Sequence, residues 1–179
     1  SDITRTFPVN GRFSPEQKAI YELVLKAQEA AFAVIAPGRH WNEAHEATLQ
    51  VIISGLIELG LLSGTLEEQL ASEGYKAYYM HRAGHWLGMD VHDVGDYKIG
   101  GEWRELEVGM ALTVEPGIYI PADDQRVAKK WRGIGVRIED DVVVTKGGCE
   151  VLTGGVPKQV AEIEALMAPL PAAVQAVPA

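Results

Sequence analysis

Apolar positions at helical spacing dominate the first third of the chain. A first helix is predicted from the buried face formed by Ile20, Val24, Ala27 and Ala31. Ser14 is a suitable N-cap, and Gln17, three positions later, completes a capping box. Pro37 and Gly38 mark the end of this helical pattern.

Two further helices follow in the same half of the chain. We expect Asn42 to cap a second helix, which would end near Gly60. Its predicted buried face consists of Ile52, Ile53, Leu56 and Ile57. Thr65 and Glu68 form another capping box, which opens a short helix that stops near Gly74.

After Gly74 the pattern changes to short runs rich in β-branched residues. Two such runs, ALTVEPGIYI at 111–120 and GVRIEDDVVVT at 135–145, predict strands. Pro116 requires the first run to bend or end beside Glu115, because proline cannot continue the hydrogen-bond ladder. The second run allows two interpretations at 139–141, namely a hairpin turn or a bulge within one strand.

The two ends of the chain complete the predicted architecture. The alternating stretch 2–9, DITRTFPV, predicts a strand, and residues 158–167 predict a last helix. Helices followed by a mostly antiparallel sheet indicate the α+β class. We expect one domain over 1–167, followed by a Pro/Ala-rich tail at 168–179.

Composition excludes several classes of protein. A chain of 179 residues with 47% hydrophobic residues can form a sizeable core and is not a disordered protein. Its longest apolar run, 51–62, is too short to cross a bilayer. The net charge of −9 argues against a nucleic-acid or anionic-membrane partner. Cys149 is the single cysteine, which fits a cytoplasmic protein without internal disulfides.

Three of the five histidines lie in the stretch HRAGHWLGMDVHD at 81–93, namely His81, His85 and His92. Gly84 and Gly88 weaken a helix in this stretch and allow the backbone to approach a ligand closely. We therefore predict an irregular segment that presents several imidazoles to one point. For His40 and His45 we expect ordinary surface or core roles.

Asp2, Glu115 and Glu139 are carboxylates at predicted strand positions. Each alone would ordinarily face solvent, whereas a buried carboxylate needs an ion, a proton or a partner. Together with His85 they form a candidate ligand set for a divalent cation. One imidazole among oxygen ligands suits Mn²⁺, Fe²⁺ or Co²⁺, and bridging carboxylates can hold two ions that activate a shared water.

Four ordered blocks carry a resemblance to a known family: SDITRTFPVNGRFSPEQKAIYELVL, MHRAGHWLGMDVHDVGDY, LEVGMALTVEPGIYIP and RGIGVRIEDDVVVT. They resemble the pita-bread metallopeptidases, in particular the Xaa-Pro aminopeptidase (aminopeptidase P) group. The resemblance implies a mostly antiparallel curved sheet covered by helices. It also implies two divalent ions, most often Mn²⁺.

The resemblance further implies roles for individual residues. The implied metal ligands are Asp2, His85, Glu115 and Glu139, and Glu115 would also be the proton shuttle. His81 and His92 would line the site without binding metal and steady the substrate. Arg137 would support Glu139 from the same strand face.

A further aspartate ligand of this family lies upstream of the position that Asp2 matches, and so before residue 1. We therefore expect the chain to be the carboxy-terminal part of a catalytic domain, incomplete at its amino-terminal end. On this basis, residues 1–179 alone should hold at most one tightly bound ion and be poorly active.

The implied activity is hydrolysis of the Xaa-Pro bond at peptide amino termini, with release of the first residue. Two alternatives stay open: a prolidase that cuts Xaa-Pro dipeptides, and a non-catalytic pita-bread module that binds a partner. Metal-free creatinase-type chemistry is disfavoured because the ligand positions keep Asp, His and Glu. We expect a homo-oligomer, dimer or tetramer, for the whole protein.

Overall fold

The computed structural model describes residues 1–168, so all but the first residue of the tail predicted at 168–179 lies outside the described residues. The helices are α1 (Pro15–Val34), α2 (Trp41–Glu58), α3 (Leu66–Ser72) and α4 (Val160–Leu166). The strands are β1 (Lys98–Ile99), β2 (Glu102–Trp103), β3 (Ala111–Val114), β4 (Gly117–Tyr119), β5 (Gly135–Arg137), β6 (Asp140–Thr145) and β7 (Gly148–Val151). This order of helices and antiparallel strands confirms the predicted α+β class.

Helix α1 begins where its sequence predicts. The Ser14 hydroxyl accepts a hydrogen bond from the Gln17 amide, and the Gln17 side chain accepts one from the Ser14 amide. The four apolar residues of the predicted face, Ile20, Val24, Ala27 and Ala31, are fully buried. Local capping and periodicity therefore suffice to define this helix.

Helix α2 begins earlier than expected, because His40 rather than Asn42 is its N-cap. The Glu43 carboxylate accepts a hydrogen bond from the His40 backbone N–H at 2.7 Å. This N–H has no hydrogen-bond acceptor within the helix, so the Glu43 side chain satisfies it. Asn42 lies inside the helix, where its amide donates to the Glu46 carboxylate. The prediction of Asn42 as the cap was wrong.

Two antiparallel strand pairs lie end to end and form the sheet that carries the site. Strand β3 pairs with β6, whose other neighbour is β7, and β4 pairs with β5. The register is continuous across both pairs, with Val114 opposite Asp140 and Gly117 opposite Arg137. The hairpin alternative for 139–141 is wrong, because the chain continues from β5 into β6 after a short break.

The strand predicted over 2–9 does not form as a regular strand. Thr4 makes an isolated antiparallel bridge to Glu139. At the next pair, the Thr6 side chain takes the place of backbone hydrogen bonds to Arg137. The Thr6 hydroxyl donates to the Arg137 carbonyl at 2.8 Å and accepts from the Arg137 amide at 3.2 Å. The segment 2–9 therefore runs alongside residues 137–139 in antiparallel register. Its alternating pattern predicted a regular strand, but it makes only one backbone bridge.

The core places this sheet against α1 and α2. Buried side chains of the two helices, such as Val24 and Ile53, pack in one cluster with Ile118 and Ile138 of the sheet. Burying each large aliphatic side chain contributes about 1.5–3 kcal/mol. Ile138 directly precedes Glu139, so the core holds the backbone at the break in place. None of the helices among residues 1–168 has the length and apolarity to span a membrane.

Candidate metal centre

The histidine-rich stretch is irregular, as predicted, and lies directly against β3. The Glu115 amide donates to the Ala83 carbonyl at 2.7 Å, and the Thr113 amide donates to the His85 carbonyl at 3.0 Å. A Cβ atom at Gly84 would lie 2.0 Å from the Thr113 carbonyl oxygen. Glycine is therefore required at position 84 for the backbone to come this close to the strand.

His85 directs its Nε2 ring nitrogen toward two carboxylates. Its Nδ1 lies 2.9 Å from the Trp86 carbonyl oxygen, which only accepts, so Nδ1 is the donor in this contact. Nε2 lies 3.3 Å from Asp2 Oδ2 and 3.5 Å from Glu115 Oε1, and it has no hydrogen-bond partner among residues 1–168. A neutral imidazole oriented by a backbone carbonyl is the form that binds a metal ion.

Glu115 and Glu139 face each other across the breaks in the two strands. The register shared by both strand pairs places these residues opposite each other. Their ligand atoms and a ring nitrogen of His85 all lie within 4.8 Å of one another. Asp2 joins them because its amide donates to the Asp141 carboxylate, which holds the amino-terminal segment beside β6.

The electrostatics of this cluster favour a bound cation. Burial raises the pKa of both Glu115 and Glu139, and Glu139 is only 2% exposed. The Thr4 hydroxyl donates to Glu139 and thereby opposes the rise in its pKa. Carboxylates that are this buried and close together need a proton or a cation to compensate for lost hydration.

His92 lies beside His85, with 4.1 Å between ring centroids. A ring nitrogen of His92 lies within 4.8 Å of ligand atoms of both Asp2 and His85. Geometry alone therefore permits His92 as a ligand, whereas the family resemblance assigns it to the substrate. Variants of His85 and His92 distinguish these two roles.

His81 is held in a defined orientation in the cavity by both of its ring nitrogens. Its Nδ1 lies 2.8 Å from the Arg82 carbonyl, so this nitrogen is the donor. Its Nε2 lies 2.7 Å from the Tyr119 hydroxyl, which donates to it when the ring is neutral. Burial lowers the pKa of His81 and so favours that neutral form.

Arg137 lies on the same side as Glu139, with Nε 3.7 Å from Glu139 Oε2. The same nitrogen donates to the Thr4 hydroxyl at 3.1 Å, and Thr4 in turn donates to Glu139. Arg137 and Thr4 thus form a short chain of donors that ends on a candidate ligand. The supporting role of Arg137 toward Glu139 stays a prediction, and this contact is the geometry on which it rests.

Sequence reasoning missed three residues that orient the site: Thr4, Tyr119 and Asp141. Thr4 had a usable signal, since residues two apart on an extended segment share a face and Asp2 was already a candidate. Tyr119 had none, because the break after Glu115 removes the alternation that would relate their side chains. Asp141 acts through its contact with the Asp2 amide, which only the folded chain reveals.

The candidate residues surround an open cavity of about 650 Å³. Its lining consists of Asp2, His81, Arg82, Gly84, His85, Val91, His92, Glu115, Arg137 and Glu139. All seven residues predicted for the site therefore lie around one space. His40 is an exposed helix cap, and half-buried His45 has a pKa lowered by burial to about 4, so neither joins the lining.

Comparison with known proteins identifies the family. The model of metallopeptidase family M24 matches residues 1–146. The chain belongs to metallopeptidase family M24. Family M24 enzymes are metallopeptidases, and the described residues of this member include two groups of side chains suited to a divalent ion.

Named relatives in family M24 agree on the type of protein. The chain is 50% identical over 166 residues to a Xaa-Pro aminopeptidase of Haemophilus influenzae, covering 93% of this chain and 38% of the relative. It is 78% identical to the solved aminopeptidase PepP of Pseudomonas aeruginosa, with a TM-score of 0.93, covering 94% of this chain and 38% of that one. This likeness confirms the pita-bread fold. The chain spans about 38% of the length of these relatives.

Proposed function

We propose that the protein containing this chain is a metal-dependent aminopeptidase that hydrolyses the Xaa-Pro bond at peptide amino termini. The observation that carries the proposal is the convergence of His85 Nε2 with carboxylates of Asp2, Glu115 and Glu139. These four residues are the proposed ligands for divalent ions, and we take Mn²⁺ as the physiological metal. The names of the relatives supply the substrate class.

The donor set fits such ions. Three carboxylates and one imidazole suit a borderline-hard divalent ion such as Mn²⁺. Bound divalent ions would polarise the scissile carbonyl and lower the pKa of a bound water. Glu139 and Asp2, which come from two chain segments joined by the Thr4–Glu139 bridge, would be the ligands shared between two ions.

The remaining residues have roles in handling the substrate. Glu115 is the proposed proton shuttle, because its carboxylate lies in the cavity lining, 3.5 Å from His85 Nε2, where it can reach a bound substrate. His81 and His92 line the cavity, where both are proposed to steady the substrate. A ring N–H of His92 can donate a hydrogen bond to a peptide carbonyl or to the oxyanion formed from it. Both ring nitrogens of His81 are already engaged, by the Arg82 carbonyl and the Tyr119 hydroxyl, so His81 forms a fixed part of the cavity wall. Arg137 and Thr4 orient Glu139.

The test uses the complete protein that carries residues 1–179. Metal content is measured first, and turnover is then compared between a Xaa-Pro-Yaa peptide and a Xaa-Pro dipeptide with added Mn²⁺. The proposal predicts bound metal and release of the first residue from the longer peptide. Activity restricted to the dipeptide would indicate a prolidase, and metal-free protein without turnover would indicate a binding module. Glu115→Gln should lower turnover in the same assay, and Glu150→Gln, an exposed change on β7, is its matched control.

Two expectations about the whole protein belong to this proposal. A cytoplasmic location is suggested by the single free cysteine, Cys149, and cell fractionation would test it. A homo-oligomer is expected from the family resemblance, and light scattering of the complete protein would measure it.

A further inference from the structure

Arg5 lies three residues after Asp2 and uses its whole guanidinium group inside the fold. Nε donates to the Pro157 carbonyl at 3.1 Å, and Nη2 donates to the Val156 carbonyl and the Asp140 carboxylate at 2.9 and 2.7 Å. Nη1 donates to the carbonyls of Thr4 and Glu139 at 3.0 and 2.8 Å. The side chain is only 10% exposed.

These contacts join the two chain segments that carry proposed bridging ligands. The backbone bridge between Thr4 and Glu139 is weak on one side, since the Thr4 amide lies 3.4 Å from the Glu139 carbonyl oxygen. Arg5 donates to that same oxygen at 2.8 Å and reinforces the bridge with a charged donor. Without a regular ladder in the amino-terminal segment, this clamp is a main source of its register.

Asp140 provides a rigid base for the clamp. It is fully buried and also accepts from Lys158 at 2.7 Å, from Thr153 at 2.6 Å and from Gln28 at 3.1 Å. These partners come from α1 and from the segment before α4. Asp140 directly follows Glu139, so the position of Arg5 is fixed relative to that ligand.

We propose that Arg5 is a positioning residue of the metal centre, which holds the segment of Asp2 against that of Glu139 so that both carboxylates stay beside His85. Arg5 does not line the cavity and does not contact the substrate space. Its effect is therefore on metal affinity through Asp2 and Glu139. The inference rests on the proposed metal centre.

The experiment compares Mn²⁺ binding and thermal unfolding of the complete protein in three variants. Arg5→Met removes every donor, whereas Arg5→Lys keeps a charge near Asp140 but cannot reach all the backbone carbonyls. Arg132→Met is the matched control, because Arg132 also donates to a backbone carbonyl, that of Val127, and lies outside the cavity lining. Affinity is measured by calorimetry at a temperature where all variants are folded.

We expect Arg5→Met to weaken Mn²⁺ binding by about tenfold or more, and the affinity of Arg5→Lys to lie between those of Arg5→Met and the wild type. Arg132→Met should leave the Mn²⁺ affinity within about twofold of the wild type, even when it lowers Tm. Unchanged affinity in Arg5→Met, or equal weakening in Arg132→Met, would overturn the role of Arg5 while leaving the metal centre intact. Failure of the wild type to bind Mn²⁺ would overturn the metal centre and, with it, this inference. Should Arg5→Met not fold, Arg5→Lys and Asp140→Asn decide, with wild-type affinity in both contradicting the proposal.

Discussion

The imidazole rings of His85 and His92 lie 4.1 Å apart and are tilted by 54°, yet only His85 directs a ring nitrogen at both Asp2 and Glu115. His85→Ala should therefore abolish most metal binding. His92→Ala should leave metal content near that of the wild type and lower turnover on the order of 10²-fold, the typical effect of losing a group that stabilises developing charge. Metal analysis and steady-state kinetics of the complete protein measure both effects.

The exposed cap residue His40 provides the matched control, since His40→Ala removes an imidazole away from the cavity lining. Equal loss of metal in the His85 and His92 variants would show that His92 is a ligand. The group formed by Asp2, His85 and His92 would then be a true metal site.

Gly84→Ala should destabilise the protein and reduce metal occupancy together. The new Cβ would meet the backbone carbonyl of Thr113, so the stretch that carries His85 must move away from β3. Overpacking of this kind typically costs about 1–3 kcal/mol. Thermal unfolding and metal content measure the two effects. Gly147→Ala, whose Cβ meets nothing within 4 Å, should stay within about 0.5 kcal/mol of wild type.

Glu139→Gln should stabilise the metal-free protein at alkaline pH. Burial raises the pKa of Glu139, so ionisation is less favourable in the folded state than in the unfolded state. The stability this group contributes is therefore present below the ordinary glutamate pKa and lost as pH rises through the raised pKa. With EDTA at pH 8, the variant should have the higher Tm, and the difference should shrink toward pH 4.

Added Mn²⁺ should reverse the order of the same two proteins, because the wild type regains a ligand charge that the variant lacks. Glu150→Gln, which removes an exposed charge, should follow the wild type under every condition. A variant that is less stable than wild type in EDTA at pH 8 would contradict the assigned electrostatics.

A polypeptide of residues 1–179 alone should bind at most one Mn²⁺ tightly and cleave Xaa-Pro-Yaa peptides poorly. Its described residues bring one imidazole and the carboxylates of Asp2, Glu115 and Glu139 to the centre, and the number of ligands sets divalent affinity. Equilibrium dialysis and a peptide assay, each run beside the complete protein, give the comparison. Two tightly held ions with turnover equal to the complete protein would refute this expectation.

Local signals in the sequence predicted the helices and the break in the sheet, because these depend on neighbours in the chain. Ser14 and Gln17 satisfy each other's backbone amides, and Pro116 interrupts any ladder in which it lies. The predicted N-cap of α2 was two residues too late. His40 is followed by Glu43 and Asn42 by Glu46, so the sequence offers a similar pattern at both residues. Only the Glu43 contact in the folded chain decides between them.

The pairing of Glu115 with Glu139 could not be derived from periodicity. It depends on a strand register that is set by the long-range pairing of β3 with β6 and β4 with β5. The same limit explains the error at 2–9, where hydroxyl and guanidinium groups of Thr6 and Arg5 replace backbone ladder bonds. Residue chemistry and the family resemblance both named the ligand candidates, whereas their arrangement in space required the fold.

The hydrogen bonds from the Asp2 amide to the Asp141 carboxylate join residues 139 positions apart. During synthesis Asp2 leaves the ribosome long before Asp141 exists. At about 5–20 residues per second the interval is roughly 7 to 28 s. In that time the residues of α1 and α2 have been synthesised, but Asp2 has no Asp141 carboxylate to hold it. The cation pocket can therefore close only after Asp141 has been synthesised, because until then the Asp2 amide lacks the carboxylate that holds it.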